Sequence, residues 1–234
     1  MISKSSKPTK ALLALAGLIF VSACASEGPS DNPIVRKFSW LSYLEGGDIR
    51  KACRQGAPNS YRLVYNGVYT EQVRMYDIKD DGDLRVQILQ PTDLKQIGIN
   101  KPGDLLSPWR GKTLWKQLSA KSVADVVTAL ERDGAFATPN VGLELSSKGF
   151  FWSVASCHEG QYHFNAWAWP SAEWDALGFD DAVFAVDPSP IPLNPPRKTE
   201  TRRLGVVGYD DAKENAYWTK VGENGLVGVV DLKR

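Results

Sequence analysis

The strongest constraint on this chain lies between Gly149 and Trp169, where two aromatic-rich runs flank Glu159-Gly160. A tight turn at that dipeptide makes the segment an antiparallel hairpin. Its register sets His158 opposite Gln161, Ser156 opposite His163, Val154 opposite Asn165 and Trp152 opposite Trp167. Strand alternation gathers these residues, with Trp169, on one face. The other face carries Phe151, Ala155, Cys157, Tyr162, Phe164, Ala166 and Ala168, and reads as core. Indoles beside imidazoles and an amide suit stacking on sugar rings or on an amphipathic peptide. Trp152, His163, Asn165, Trp167 and Trp169 are therefore the candidate ligand-binding residues. The competing reading is plain packing, because aromatic cross-strand pairs are ordinary sheet stabilisers.

Other hairpins follow from turn chemistry. Tyr61 to Leu89 reads as a three-strand meander. Asn66-Gly67 matches a type I′ turn, which would put Tyr65 opposite Val68 and Arg62 opposite Glu71. Asp80-Asp81-Gly82 marks the next turn, before the alternating Leu84, Val86 and Ile88. Residues 91–118, punctuated by Pro91, Pro102, Gly103, Pro108 and Gly111, read as a long excursion with little regular structure. One main helix is expected over about 122–133, with Ser122 and Asp125 at capping-box spacing and Gly134 as the C′ residue. Its apolar positions Val123, Val126, Val127 and Leu130 share one side. Ser171 is a candidate cap for a short helix ending at Gly178. Five prolines between Asp187 and Pro196 imply an extended surface loop or linker. Arg202–Gly208, Ala216–Val221 and Leu226–Leu232 form a last expected meander, turning near Glu223-Asn224-Gly225. The fold class is β-rich α+β, built from antiparallel meanders and hairpins, as a sandwich or a partly closed barrel.

Composition narrows the function classes. Of 234 residues, 43% are hydrophobic and 24% charged, which excludes a polytopic membrane protein and a disordered chain. A net charge of +1 gives no nucleic-acid footprint. Three cysteines and two histidines leave little room for a structural zinc site or an iron–sulfur cluster.

The N-terminus is more specific. Lys4, Lys7 and Lys10 precede the apolar run Ala11–Phe20, which is too short for the ~20 residues of a spanning helix. It fits the apolar region of a signal peptide, and Val21-Ser22-Ala23-Cys24 closes it with small residues before a cysteine. In these residues the chain resembles bacterial lipoprotein precursors, with Val21 in place of the commoner Leu of the lipobox. The resemblance covers residues 1–26 and implies cleavage after Ala23 and acylation of Cys24. Ala25, where an Asp would retain such a protein in the inner membrane, implies the outer membrane, facing the periplasm, in a Gram-negative cell. The competing reading is an ordinary secretory signal that leaves Cys24 free. Removing residues 1–23 leaves 25 basic against 27 acidic residues, a net of −2. The chain thus divides into a signal peptide (1–23), the lipidated Cys24 with a tether (24–37), and one β-rich domain (38–234) with a Pro-rich loop at 187–196.

Cys53 and Cys157 remain, and an oxidising compartment favours their pairing as a disulfide. Two buried free thiols are the alternative. A Cys157–His158 nucleophile pair is disfavoured, because adjacent strand residues point to opposite faces. His158, Glu159 and His163 miss the H-E-x-x-H zinc motif by one residue and lack its helix. A metal site on both histidines would need a third ligand, and none is identifiable. Glu144, Glu159, Asp175, Asp180 and Asp181 offer no carboxylate pair at a defined separation, and Asp180-Asp181 reads as a solvated turn. No G-x-S-x-G, P-loop or G-x-G-x-x-G occurs. No catalytic residue, metal or cofactor is therefore assigned. The expected role is binding or structural, through a lipid-anchored envelope protein whose partners are the membrane and envelope proteins or cell-wall glycan. The alternative is an envelope-polymer (glycan or peptide) hydrolase working through the Trp/His hairpin face.

Overall fold

A computed structural model describes residues 43–90, 111–198 and 217–230. The lipobox and tether, the excursion over 91–110, the strand expected at 202–208 and the end of the last strand lie outside them. In the described chain, helix α1 (Gly47–Arg54) leads into β1 (Ser60–Gly67), β2 (Gln72–Lys79), β3 (Asp83–Leu89) and β4 (Lys112–Gln117). Helix α2 (Ala120–Arg132) and the short β5 (Glu144–Ser146) come next, then the long hairpin of β6 (Phe150–His158) and β7 (Gln161–Trp169). Helices α3 (Ala172–Asp175) and α4 (Phe179–Val186) precede β8 (Trp218–Gly222) and β9 (Gly225–Val230). Two antiparallel sheets result, six strands in the order β4-β3-β2-β1-β6-β7 and three in the order β5-β8-β9. The fold is strand-rich α+β, and neither described sheet closes into a barrel.

Both faces of the large sheet carry packed elements. Its first face packs Tyr61, Leu63, Tyr76, Leu84, Val86, Trp152 and Val154 against α2 and α4. Its second face packs Val64, Met75, Phe151, Ala155 and Phe164 against α1, Leu145 of β5 and Val221 of β8. Eight of the nine residues of β6 are buried, so this strand is apolar on both sides in the manner of a central strand. Cys157 on the second face is bonded to Cys53 at the end of α1, with Cα atoms 5.4 Å apart. Linking residues so distant in sequence removes about 4.7 kcal/mol of unfolded-chain freedom in the loop-entropy account.

The turn at Asn66-Gly67 does not form. β1 continues through both residues, with Asn66 opposite Val73, Gly67 opposite Gln72 and Arg62 opposite Asp77. The loop is instead Val68–Glu71, entered by Val68 at a left-handed φ of 62°. Asn66 is buried, and its amide donates to the carbonyls of Ser147 (3.2 Å) and Gly149 (2.7 Å). Gly67 is required by packing, since a Cβ there would lie 2.7 Å from the Tyr65 ring. The expected excursion also changes at its end, where β4 forms the outer strand beside β3.

The main helix starts two residues earlier than expected. Ser119 is its N-cap, accepting from the Ser122 amide at 3.1 Å, while Asp125 pairs with Lys121 on the surface. Gly134 does close it: Gly134 N–H donates to Glu131 and Ala135 N–H to Leu130, a Schellman pair. Ser171 caps α3 through the Trp174 amide, but α3 stops at Asp175 and Gly178 begins α4. Asp180-Asp181 therefore occupies the first turn of a helix, where its charge suits the macrodipole, and is not a solvated turn.

Asp133, just past α2, supplies the cap that Gly178 lacks. One carboxylate oxygen accepts from the amides of both Gly178 and Phe179 at 2.7 Å. Burial alone would raise the pKa of this carboxyl, but the Arg132 guanidinium and the two amides hold it below the ordinary carboxylate value. A depressed carboxyl contributes stability that is present above its unfolded value and lost as pH falls through the folded one. Asp133→Asn, which keeps an acceptor but removes the negative charge at the α4 N-terminus, should therefore cost about 1 kcal/mol at pH 7. The gap from wild type should close on acidification. Urea titrations at pH 7 and near pH 3 check this, and an equal gap at both would sink it.

The Pro-rich segment is extended, as expected, yet it is not a free surface loop. Ile191 and Leu193 pack on the first-face core. Buried Arg74 donates to Asp187 at 2.7 Å, to Gln72 Oε1 at 3.0 Å and to the Ile191 carbonyl. Tyr76 donates to the same Asp187 oxygen at 2.7 Å. Gln72 donates to the Pro192 carbonyl and accepts from the Asn194 amide, both at 3.1 Å. The segment is a strap fastened to β1 and β2.

Candidate functional site

The β6–β7 register is the expected one, from Trp152 opposite Trp167 to His158 opposite Gln161. The groove expected along this face is filled. Trp152 is 1% exposed and Trp167 5%, and the Phe179 ring of α4 lies 5.4 Å from each. Asn165 is buried and committed: its Oδ1 accepts from the Asn140 and Ala166 amides, and its Nδ2 donates to the Gly134 carbonyl. Trp169 stands edge-on to Phe150 with ring centres 6.1 Å apart. His163 is half-buried, with its ring centre 5.6 Å from Phe136, and burial and the neighbouring His158 push its pKa down. His158 stacks on Phe136 at 4.1 Å and meets the Tyr61 hydroxyl through Nδ1 at 3.0 Å. Trp152, Asn165 and Trp167 are thus packing residues, and the five candidates do not come together in one groove. Strand alternation places these side chains on one face as expected, and Phe179 of α4 covers the indoles. Among the described residues no three His, Cys, Asp or Glu side chains gather as a metal site.

An open feature lies on the second face, beyond the reach of the small sheet. Register places Trp115 of β4, Arg85 of β3, Asp77 of β2 and Arg62 of β1 in one row across the strands. Asp77 bridges the two guanidinium groups. Its Oδ1 accepts from Arg62 Nε at 2.7 Å, and its Oδ2 accepts from Arg85 Nε at 3.0 Å and Nη2 at 2.7 Å. The other end of Arg62 forms a fork on Asp48 of α1, at 2.8 and 2.9 Å. Burial alone would weaken the Arg62 charge, but Asp77 and Asp48 raise its pKa above the ordinary value. At the end of the row Trp115 is 68% exposed. These residues, with Ile49, Lys79 and Asp83, line a groove of about 320 Å³ between α1 and β4. A smaller recess of about 280 Å³ borders Asn140, Val141 and the rim of Trp167.

The groove holds fixed cations, carboxylates and an exposed indole, but no His, Cys or Ser–His pair. Sequence reasoning missed it because Arg62, Asp77, Arg85 and Trp115 come from four strands, and the misplaced Asn66-Gly67 turn paired Arg62 with the wrong carboxylate. No family model, curated protein or solved structure compared with this chain matches it.

Proposed function

We propose that this protein is a lipid-anchored component of the bacterial envelope, held by acylated Cys24, with its β-rich domain serving binding or structure in the periplasm. The order of basic segment, apolar run and Val21-Ser22-Ala23-Cys24 supports the anchor. Pairing of Cys53 with Cys157 is consistent with an oxidising compartment. The observation that carries a binding or structural role over hydrolysis is the burial of Trp152 and Trp167 beneath Phe179, which removes the cleft a hairpin hydrolase needs. In the open groove at Trp115 both carboxylates are ion-paired, Asp77 with Arg62 and Arg85 and Asp83 with Lys79. Replacing Cys24 by Ser is expected to stop maturation and release the protein from the membrane fraction. Unchanged processing and membrane association of that variant would overturn the anchor.

A further inference from the structure

We infer that the groove between α1 and β4 binds glycan, with a pyranose ring stacked on Trp115 and a carboxylate substituent of the glycan paired to Arg85. The inference rests on the envelope reading for where the protein would meet such a polymer, and on the groove itself for the chemistry.

Three large apolar side chains are well exposed among the described residues, and Trp115 is the one with a ring; the others are Val141 and Val227. An indole held out on a sheet presents a flat apolar face of the kind that the C–H face of a sugar covers. Beside it, Arg85 is oriented before any ligand arrives. Its Nε and Nη2 are fixed on Asp77, which is itself locked by Arg62, and Nη1 meets no acceptor among the described residues. A guanidinium held in this way offers a donor at little conformational cost. With Asp48, which forks on Arg62, the lining cations Arg62, Lys79 and Arg85 are balanced by Asp48, Asp77 and Asp83, so the groove carries no excess positive charge beyond the unfilled donor of Arg85. That balance suits an occasional carboxylate and not a polyphosphate. At about 320 Å³ the groove is at the small end of ligand sites, which fits a polymer read one or two rings at a time. A peptide strand added to the β4 edge is the competing occupant. It is disfavoured by exposed Lys112 on that edge, a charge of the kind that resists strand pairing.

The test uses the full chain purified in detergent, with two probes: isolated Gram-negative peptidoglycan sacculi, which carry carboxylates, and soluble chitotetraose, which carries none. Wild-type protein is expected to co-sediment with sacculi and to bind chitotetraose more weakly. Trp115→Ala should weaken both by about tenfold, and Trp115→Phe, which keeps a ring, should stay within about threefold of wild type. Arg85→Gln should weaken sacculus binding by about fivefold and leave chitotetraose unchanged. Val227→Ala, an exposed apolar control on β9, should change neither. Thermal melts verify that each variant is folded. Binding of neither probe by wild type, equal binding by folded Trp115→Ala, or capture of an acidic peptide in place of both glycans would overturn the inference. Membrane fractionation of the Cys24→Ser chain reads the anchor separately. Loss of glycan binding with normal anchoring counts against the groove alone.

Discussion

Arg74→Ala should destabilise the fold by about 3–5 kcal/mol, because it leaves a buried carboxylate without its cation. Arg74 and Asp187 are 3% and 6% exposed, so water cannot take over the lost partner. The same substitution strips the Ile191 carbonyl of a donor and frees Gln72, which holds the strap through Pro192 and Asn194. Urea unfolding of the variant should show a large drop in midpoint. Removing both charges, as Arg74→Met with Asp187→Leu, should give a protein more stable than Arg74→Ala alone, since no buried charge is then orphaned. A loss below about 1 kcal/mol for Arg74→Ala would mean that the pair adds little to the strap.

Trp152→Ala is expected to lose a similar amount, about 3–5 kcal/mol, by opening a cavity at the centre of the first-face core. The indole sits among Tyr65, Tyr76, Phe179 and Phe184, with ring centres 5.1 to 6.1 Å away. Four aromatic neighbours held by strands and a helix cannot all collapse into the space. Trp115→Ala removes the same side chain from an exposed position and should stay within about 0.5 kcal/mol of wild type. Chemical denaturation of the two variants side by side measures the contrast. Equal losses would contradict the burial of one and the exposure of the other.

The parts of the fold legible in the sequence are those fixed by local chemistry. Glu159 and Gly160 both take left-handed φ, 50° and 75°, so the turn alone set the β6–β7 register. Gly134 and the spacing of Val123, Val126 and Leu130 located α2 in the same way. Misreadings arose where a distant group overruled a local signal. Asn66-Gly67 has the composition of a turn, but the Asn66 amide serves the Ser147 and Gly149 carbonyls and Gly67 makes room for Tyr65. α4 has a glycine in place of its own cap residue, and the Asp133 carboxylate that caps it comes from the far end of α2. The open site was hidden for the same reason. Each of Arg62, Asp77 and Arg85 looks like a solvated strand residue until the register joins them, whereas the Trp/His hairpin looked open because its covering helix was not recognised.

The Cys53–Cys157 bond also decides how the domain would carry load. A tether at the N-terminal end, as proposed, pulls first on the chain entering α1. Tension there does not peel a strand from the edge of a sheet. It crosses the sulfur bridge into β6, which is flanked by β1 and β7 in the large sheet. The fork from Asp48 to Arg62 shares part of that pull with β1. Residues between Arg54 and Ser60 are thereby shielded, since the bridge short-circuits the path through them. With the bridge in place, unravelling under such a pull ends at Cys53, where the load passes into β6; with the bridge reduced it would run on through residues 54–60 into β1.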